Sequence, residues 1–481
     1  MKEIKVNLAS YEYDVHSLVK SFYAEDGIKV YSPETKAQAP EVCDIVINIQ
    51  EDCGADITID NKCSEWKYEE TEGRFKDAFK RFLYRELVAA TGKELPWGNL
   101  TGIRPTKIAY GMLEQGMSEE DIVQTLSDTH YVSEEKSLLS IDIAKREKEL
   151  LSKIHYEGGY SLYIGIPFCP TTCLYCSFTS YAIAAYRNVV EEYVDCLIKE
   201  MDYVSARYAD KILDTVYVGG GTPTTLDAEQ LDRMITALKE KFDFSQVKEF
   251  TVEAGRADSI TKEKLQVLYK HGVTRISINP QTFKQETLDI IGRRHTVEQV
   301  IEAYHMAREV GFDNINMDLI LGLPGEMEED VQKTIDKVVE LAPDSLTVHS
   351  LAIKRASKLS QWIIEHGVKT LHNTDQTMEI AARGAQALSM KPYYLYRQKN
   401  MSGNFENVGY ATEGKYGIYN ILIMEEKQTI VALGAGSITK IVLPDGRIER
   451  CDNVKDVKLY IEKIDEMIDR KKELFALEDE A

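Results

Sequence analysis

Six short apolar segments alternate with amphipathic helical segments from residue 159 onward, and this alternation constrains the fold more than any other feature of the chain. The predicted strands begin at Ser161, Thr215, Glu249, Thr274, Asn314 and Ser345. Helical crossovers of this length join parallel strands with a right-handed turn, so the sheet is expected to curl. We therefore predict an α/β fold with a partial (β/α)6 TIM-like barrel, whose chemistry lies in the loops after the strands' carboxyl ends.

The rest of the chain predicts additions at both ends of this barrel. DIVINIQ and DITID alternate with period two, as strands do, and a helix with an aromatic-rich apolar face follows them. Three cysteines among these elements, Cys43, Cys53 and Cys63, are predicted to be strand-borne core residues. The four predicted segments are an N-terminal α+β module (1–95), a helical linker (96–158), the barrel (159–355) and a C-terminal α/β domain that covers the barrel mouth (356–481).

Composition excludes two classes of function. A formal net charge of −21 argues against a broad nucleic-acid-binding surface, which needs clustered Lys and Arg. No stretch approaches the roughly 18 consecutive apolar residues of a membrane span. The chain opens MKEIKVNL, without an apolar targeting segment, so we predict a cytoplasmic protein without disulfides.

A loop of three cysteines directly follows the first barrel strand. Cys169, Cys173 and Cys176 form a C-x3-C-x2-C array within YIGIPFCPTTCLYCSF. Complete zinc and iron–sulfur sites use four protein ligands, so a compact triplet indicates a cluster with one iron left open for a substrate or cofactor. Two alternatives remain open, namely zinc held by the three thiolates and a distant His, and three unligated core thiols.

Polar or glycine-rich positions end the next three strands. Gly219–Pro223 reads GGGTP, where the bare backbone can approach a ligand and its N–H groups can point at a carboxylate, although the run could also be a tight turn only. Glu253 and Gln281 end the third and fourth strands, so both are expected at the barrel mouth, unless they cap the following helices.

The cysteine loop, followed one β–α unit later by GGGTP, resembles the radical SAM superfamily. GVTRISINPQTF, IIGRRHT and NINMDLILGLPGE are similar to oxygen-independent coproporphyrinogen III oxidases of the HemN type, and WGNLTGIRPTKI, VHSLAIKRAS and ALGAGS to a HemZ-like branch. The resemblance covers nearly all of the chain after about residue 95. It implies that the three cysteines hold a [4Fe-4S] cluster and that Tyr163 lies beside the reaction site. It also implies S-adenosylmethionine ligands, namely Gly220, Gly221, Thr222, Glu253, Gln281, Arg293, Asp318 and Ile438.

The implied activity is oxidative decarboxylation of coproporphyrinogen III to protoporphyrinogen IX, with an unidentified low-potential electron donor. Phe178 stands where many such oxidases have a fourth Cys, and Gly165 stands where they have a His. The His-Asn-x-x-Tyr-Trp element of the heme-chaperone relatives is missing as well. The alternatives are a heme-binding or heme-delivery protein and a radical SAM enzyme with an unrelated substrate.

A tetrapyrrole with four propionates needs several fixed cations and flat walls in its pocket. Candidates occur after the sixth barrel strand and in a tyrosine-rich segment further on. They are Lys354, Arg355, Arg397 and Lys399. The alternative for the later segment is an ordinary half-buried strand with outward Tyr and Arg.

Overall fold

The chain forms two compact units in a computed structural model. One unit comprises residues 1–145 and 395–406, and the other comprises residues 146–394 and 407–481. The structure describes residues 1–23, 26–102, 104–353, 357–367, 371–398 and 405–480. The four-segment division made from the sequence remains a prediction.

The first unit contains a five-stranded sheet and the first helices of the chain. Its strands are β1 (Lys2–Val6), β2 (Ile28–Tyr31), β3 (Ile45–Gln50), β4 (Gly54–Ile59) and β5 (Lys62–Lys67), in the order β2-β1-β3-β4-β5. Its helices are α1 (Glu12–Phe22), α2 (Phe75–Thr91), α3 (Thr106–Glu114), α4 (Glu119–His130) and α5 (Glu134–Leu151), the last of which extends beyond the unit. The apolar faces of α1 and α2 pack with the sheet in one core, as the sequence periodicity predicts.

The prediction of core cysteines in this unit is wrong. Cys53 and Cys63 are exposed, and Cys43 is half-buried in the segment before β3. Cys63 lies on β5, where the half-buried positions of the alternating strand pattern are Ser64 and Trp66. None of the three is a member of the unit's apolar core.

The second unit contains the predicted barrel. Its strands before residue 351 are β6 (Gly159–Ile166), the short β7 (Phe168–Cys169) and β8 (Tyr181–Ala182), β9 (Ile212–Gly220), β10 (Glu249–Gly255), β11 (Arg275–Ile278), β12 (Ile315–Leu321) and β13 (Ser345–Ser350). The helices between them are α6 (Val190–Arg207), α7 (Ala228–Lys241), α8 (Lys262–Lys270), α9 (Gln285–Ile290), α10 (Val297–Val310) and α11 (Glu328–Leu341). β6 and β9 to β13 pair in parallel in chain order, which confirms the six β–α units.

The two faces of the barrel strands differ in chemistry. Residues such as Leu162, Val216 and Phe250 pack with the helices in one large apolar core. Their sequence neighbours point to the other face and bond to one another: Thr215 donates to Ser161, and Arg275 donates to Ser345. Since a strand alternates its side chains with period two, the same strands present an apolar face to the helices and a polar face to the barrel interior.

The C-terminal part of this unit extends the sheet at both edges. It contains α12 (Leu359–His366), α13 (Asp375–Ala387), β14 (Lys391–Tyr396), β15 (Asn407–Ala411), α14 (Ile418–Glu425), β16 (Thr429–Leu433), β17 (Ile438–Val442), β18 (Ile448–Asp452), α15 (Val457–Glu462) and α16 (Ile464–Asp479). β15 pairs antiparallel with β13, while β16 pairs parallel with β6 and leads into an antiparallel β16-β17-β18 meander. Of the helices in the described ranges, none combines the length and apolarity that crossing a bilayer requires.

Candidate cluster and cofactor site

The three cysteines lie at the carboxyl end of the barrel strands, with Cys169 at the end of β7 and Cys173 and Cys176 in the loop between β7 and β8. Cys169 and Cys173 are buried and Cys176 is half-buried. Burial raises the pKa of the Cys169 thiol to about 11, against the lowering effect of the Thr222 hydroxyl, which donates to its sulfur at 3.4 Å. Buried thiolates beside one another need positive charge, which a metal cluster supplies.

Backbone hydrogen bonds to the segment after β9 and to the residue after α9 hold this loop. Gly221 N–H donates to Ile166 O and Thr222 N–H donates to Phe168 O, each at 2.7 Å, while Leu174 N–H donates to Ile291 O at 2.9 Å. Two N–H groups of the GGGTP turn therefore donate to Ile166 and Phe168, the residues that form the stem of the cysteine loop. The expectation that these groups point at a ligand is wrong for Gly221 and Thr222, whose bonds fix the cluster loop instead.

Two buried arginines approach Cys173. Arg256, directly after β10, lies with Nη1 3.8 Å from the Cys173 sulfur. Arg293 donates to Asn279 O at 2.5 Å and to the Tyr175 hydroxyl at 3.3 Å. Burial alone would lower the pKa of Arg293, but Tyr175 and Cys173 outweigh it and raise that pKa. Both cations suit an anionic cluster with thiolate ligands.

Two carboxylates occupy the barrel interior beneath the loop. Burial, reinforced by Asp318, raises the pKa of Glu253 to about 7, and the Tyr217 hydroxyl donates to Glu253. Burial would also raise the pKa of Asp318, but His349, whose Nε2 lies 3.8 Å from its carboxylate, and the hydrogen bond from Asn316 hold that pKa below its usual value. The pair thus offers one carboxyl that is readily protonated and one that stays ionised, which is typical of a ligand-binding site.

Polar atoms without a protein partner face this region. Gln281 has a left-handed backbone, with φ at +66°, and its N–H bonds to Asp318 O rather than capping a helix. The side-chain oxygens of Gln281 and of Asn279 are buried and accept no hydrogen bond. A strained backbone and unpaired buried acceptors fit a bound polar ligand, so these residues are suited to S-adenosylmethionine.

Tyr163 belongs to an aromatic stack inside the barrel. Its ring lies parallel to those of Tyr217 and Tyr419, with ring centroids 6.2 Å away in each case. Ile438 begins β17 beside the ALGAGS turn and is 47% exposed. In that turn, a Cβ on Gly434 would approach Gly165 O to 2.4 Å, and one on Gly436 would approach the Thr179 hydroxyl to 2.6 Å. The turn therefore packs against the strand and loop that flank the cysteines.

Of the candidate substrate cations, Lys354, Arg355 and Lys399 lie outside the described residues. Arg397 lies in the first unit, where it is buried, donates to Leu100 O at 2.5 Å and has its guanidinium over the Trp97 ring. Its role in binding propionate stays a prediction.

The sequence interpretation missed Arg256, Tyr175, Tyr217, Tyr419 and His349. Arg256, Tyr217 and His349 lie at or near the carboxyl ends of barrel strands, and that position was the available signal. Tyr419 comes from α14, far along the chain, and no local pattern indicates its partners.

The comparisons with known proteins agree with this geometry. Residues 163–338 match the model of the radical SAM superfamily. The oxygen-independent coproporphyrinogen-III oxidase-like protein HemZ of Bacillus subtilis is 43% identical over 82% of this chain and 81% of its own length. The heme chaperone HemW of the same organism is 33% identical over 64% of this chain and 76% of its own length.

A solved structure shares the fold. The coproporphyrinogen III oxidase HemN from Escherichia coli superposes with a TM-score of 0.51 at 23% sequence identity, covering 69% of this chain and 73% of that one. Radical SAM proteins bind a [4Fe-4S] cluster and S-adenosylmethionine, and these are the cofactors of this chain. The chain belongs to the radical SAM superfamily and, within it, to the family of oxygen-independent coproporphyrinogen-III oxidase-like proteins.

Proposed function

We propose that the chain is a cytoplasmic oxidoreductase that converts propionate side chains of coproporphyrinogen III into vinyl groups without oxygen, giving protoporphyrinogen IX after two rounds. The observation that carries the proposal is the likeness to the HemZ protein across most of both chains. The cysteine loop and the polar barrel interior supply the expected cofactor site.

The reaction balances in atoms and electrons. The cofactors, when bound, would supply radical chemistry able to remove one hydrogen atom from the propionate carbon attached to the ring. The carboxylate leaves as carbon dioxide, one electron passes to an acceptor, and the remaining two carbons form the vinyl group. Cys169, Cys173 and Cys176 would hold the cluster, while Glu253, Gln281, Arg293 and Asp318 would hold S-adenosylmethionine, with Gly220, Thr222 and Ile438 near it. We further propose that Lys354 and Arg355 pair with propionates and that a low-potential donor supplies the electron.

Anaerobic reconstitution of the full chain with iron and sulfide tests this function. With S-adenosylmethionine, a strong reductant, an electron acceptor and coproporphyrinogen III, we expect mass analysis to show protoporphyrinogen IX and 5′-deoxyadenosine. Cys173→Ala should abolish both products, because it removes a cluster ligand. Cys196→Ala is the control, since Cys196 lies half-buried on α6 away from the loop.

A heme-delivery role is the second candidate, and the likeness to the HemW chaperone favours it. Stoichiometric heme binding without loss of coproporphyrinogen would support that role against the proposed one. Cleavage of S-adenosylmethionine without either result would indicate a radical SAM enzyme with another substrate.

A further inference from the structure

Arg256 is held in a fixed orientation behind the cysteine loop. It is 2% exposed, and its Nε and Nη2 donate to the two oxygens of Asp258 at 3.0 and 2.7 Å. The remaining nitrogen, Nη1, donates to the carbonyl and the hydroxyl of Thr171 at 2.9 and 2.8 Å. Because Asp258 holds one edge of the Arg256 guanidinium and Thr171 holds the other, Nη1 is directed toward the Cys173 sulfur.

The three cysteine sulfurs have different neighbours. Cys169 accepts from the Thr222 hydroxyl, and Cys176 lies 3.9 Å from the Ser180 hydroxyl. Cys173 alone of the three has a nitrogen of Arg256 within 4 Å, and it also interacts electrostatically with Arg293. The positive end of the Arg256–Asp258 ion pair therefore faces the loop, and the negative end faces away.

We propose that Arg256 is a positioning residue that raises the reduction potential of the cluster through Cys173. The inference rests on the radical SAM cofactors and is independent of the tetrapyrrole substrate. Reduction adds negative charge to a buried cluster, and N–H donors to ligand sulfurs stabilise the more negative state. Arg256 has the carboxylate of Asp258 behind it, so its net effect on the cluster depends on its orientation and should become stronger when Asp258 is removed.

Two variants should move the potential in opposite directions. Arg256→Gln removes the positive charge and leaves Asp258, so we expect the ratio of reduced to oxidised cluster at a fixed solution potential to fall about tenfold, which is about 59 mV for one electron. Asp258→Asn removes the negative end of the pair, so this ratio should rise. Arg256→Lys keeps the charge without the fork and should shift the ratio less than Arg256→Gln.

The readout is a redox titration of the reconstituted full chain, with the reduced cluster detected by electron paramagnetic resonance and iron counted in each sample. Arg233→Gln is the matched control, because Arg233 is an exposed arginine that bonds Glu191 and Asp195. If Arg256→Gln does not retain iron, the comparison of Arg256→Lys with Asp258→Asn decides. An unchanged potential, shifts in the same direction, or iron loss from all three site variants would overturn the proposal.

Discussion

Gly221 lies so close to a neighbouring segment of backbone that no residue with a Cβ atom fits at this position. A Cβ at this position would lie 2.5 Å from Phe168 O and 2.9 Å from Ile166 O, both in the stem of the cysteine loop. Contacts this short force the stem to move, since a backbone oxygen cannot rotate away as a side chain can. The glycine is thus required by the loop that holds the cluster.

Gly221→Ala should therefore release iron as well as weaken S-adenosylmethionine binding. We expect the displaced stem to cost about 1 to 3 kcal/mol of stability and the reconstituted iron content to fall below half. Iron analysis and equilibrium dialysis of S-adenosylmethionine measure the two effects. Gly111→Ala is the control, because a Cβ there meets nothing within 4 Å. Weakened cofactor binding at full iron content would contradict this explanation.

Glu326 is a buried carboxyl that makes stability depend on pH. Burial raises its pKa to about 7, although the Thr282 hydroxyl, which donates to it at 2.5 Å, lowers it. A raised folded-state pKa gives stability that is fully present below the unfolded value and is lost as pH rises through 7.

The Glu326→Gln variant lacks this titration. We expect it to gain roughly 2 to 3 kcal/mol of unfolding free energy relative to the natural chain between pH 5 and pH 8, as one pKa unit corresponds to about 1.4 kcal/mol. Urea unfolding at several pH values measures the difference. A difference that is constant with pH would refute the assignment, and Glu229→Gln, at an exposed glutamate, is the control.

Whether a site residue could be predicted from the sequence depends on whether its partners lie close to it along the chain. The cysteine spacing and GGGTP are visible within a few residues, and the structure brings both to one loop cluster. Arg256 is also local, but nothing in the sequence tells that its partner is Cys173, 83 residues earlier. The pKa values of Glu253 and Asp318 depend on each other across two strands and could not be read from either segment.

At the scale of elements, the turn between β16 and β17 is held by a buried ion pair. Lys471 on α16 lies 2.7 Å from Glu200 on α6, and both side chains are almost fully buried. Glu200 also accepts from Gly434 N–H at 2.8 Å and from the Tyr460 hydroxyl at 2.6 Å. Two helices thus position the ALGAGS turn beside the cysteine loop.

Lys471→Met should leave Glu200 buried without its cation. Breaking such a pair costs about 3 to 5 kcal/mol, which chemical unfolding would detect as a lower midpoint. The double variant Lys471→Met with Glu200→Gln should recover part of the loss, because no charge is then stranded. Lys199→Met removes an exposed ion pair with Asp465 and should cost less than about 1 kcal/mol. Equal losses in the two single variants would contradict the role given to burial.

At the scale of the whole molecule, the order of the barrel strands was predictable, whereas the way in which the C-terminal strands join the barrel sheet was not. Each barrel strand pairs with its neighbour in chain order, so reading the strands in sequence gives the sheet. β16 instead pairs with β6, across more than 260 residues, and its five buried residues carry no signal of that partner. Pairing between strands so far apart in sequence depends on the packing of the complete fold, and a local sequence pattern cannot predict it.

The backbone bonds that hold the cysteine loop also bear on the order in which the protein is assembled. Zinc fingers gain their folding free energy from the metal, so apo and unfolded are the same state for them. Here the loop is tied to its neighbours by protein groups, through backbone hydrogen bonds at Ile166, Phe168 and Ile291 and through side chains such as that of Arg256. We therefore expect the polypeptide to fold before iron is inserted and to stay folded when iron is removed. Cluster insertion and cluster repair would then both act on the folded protein.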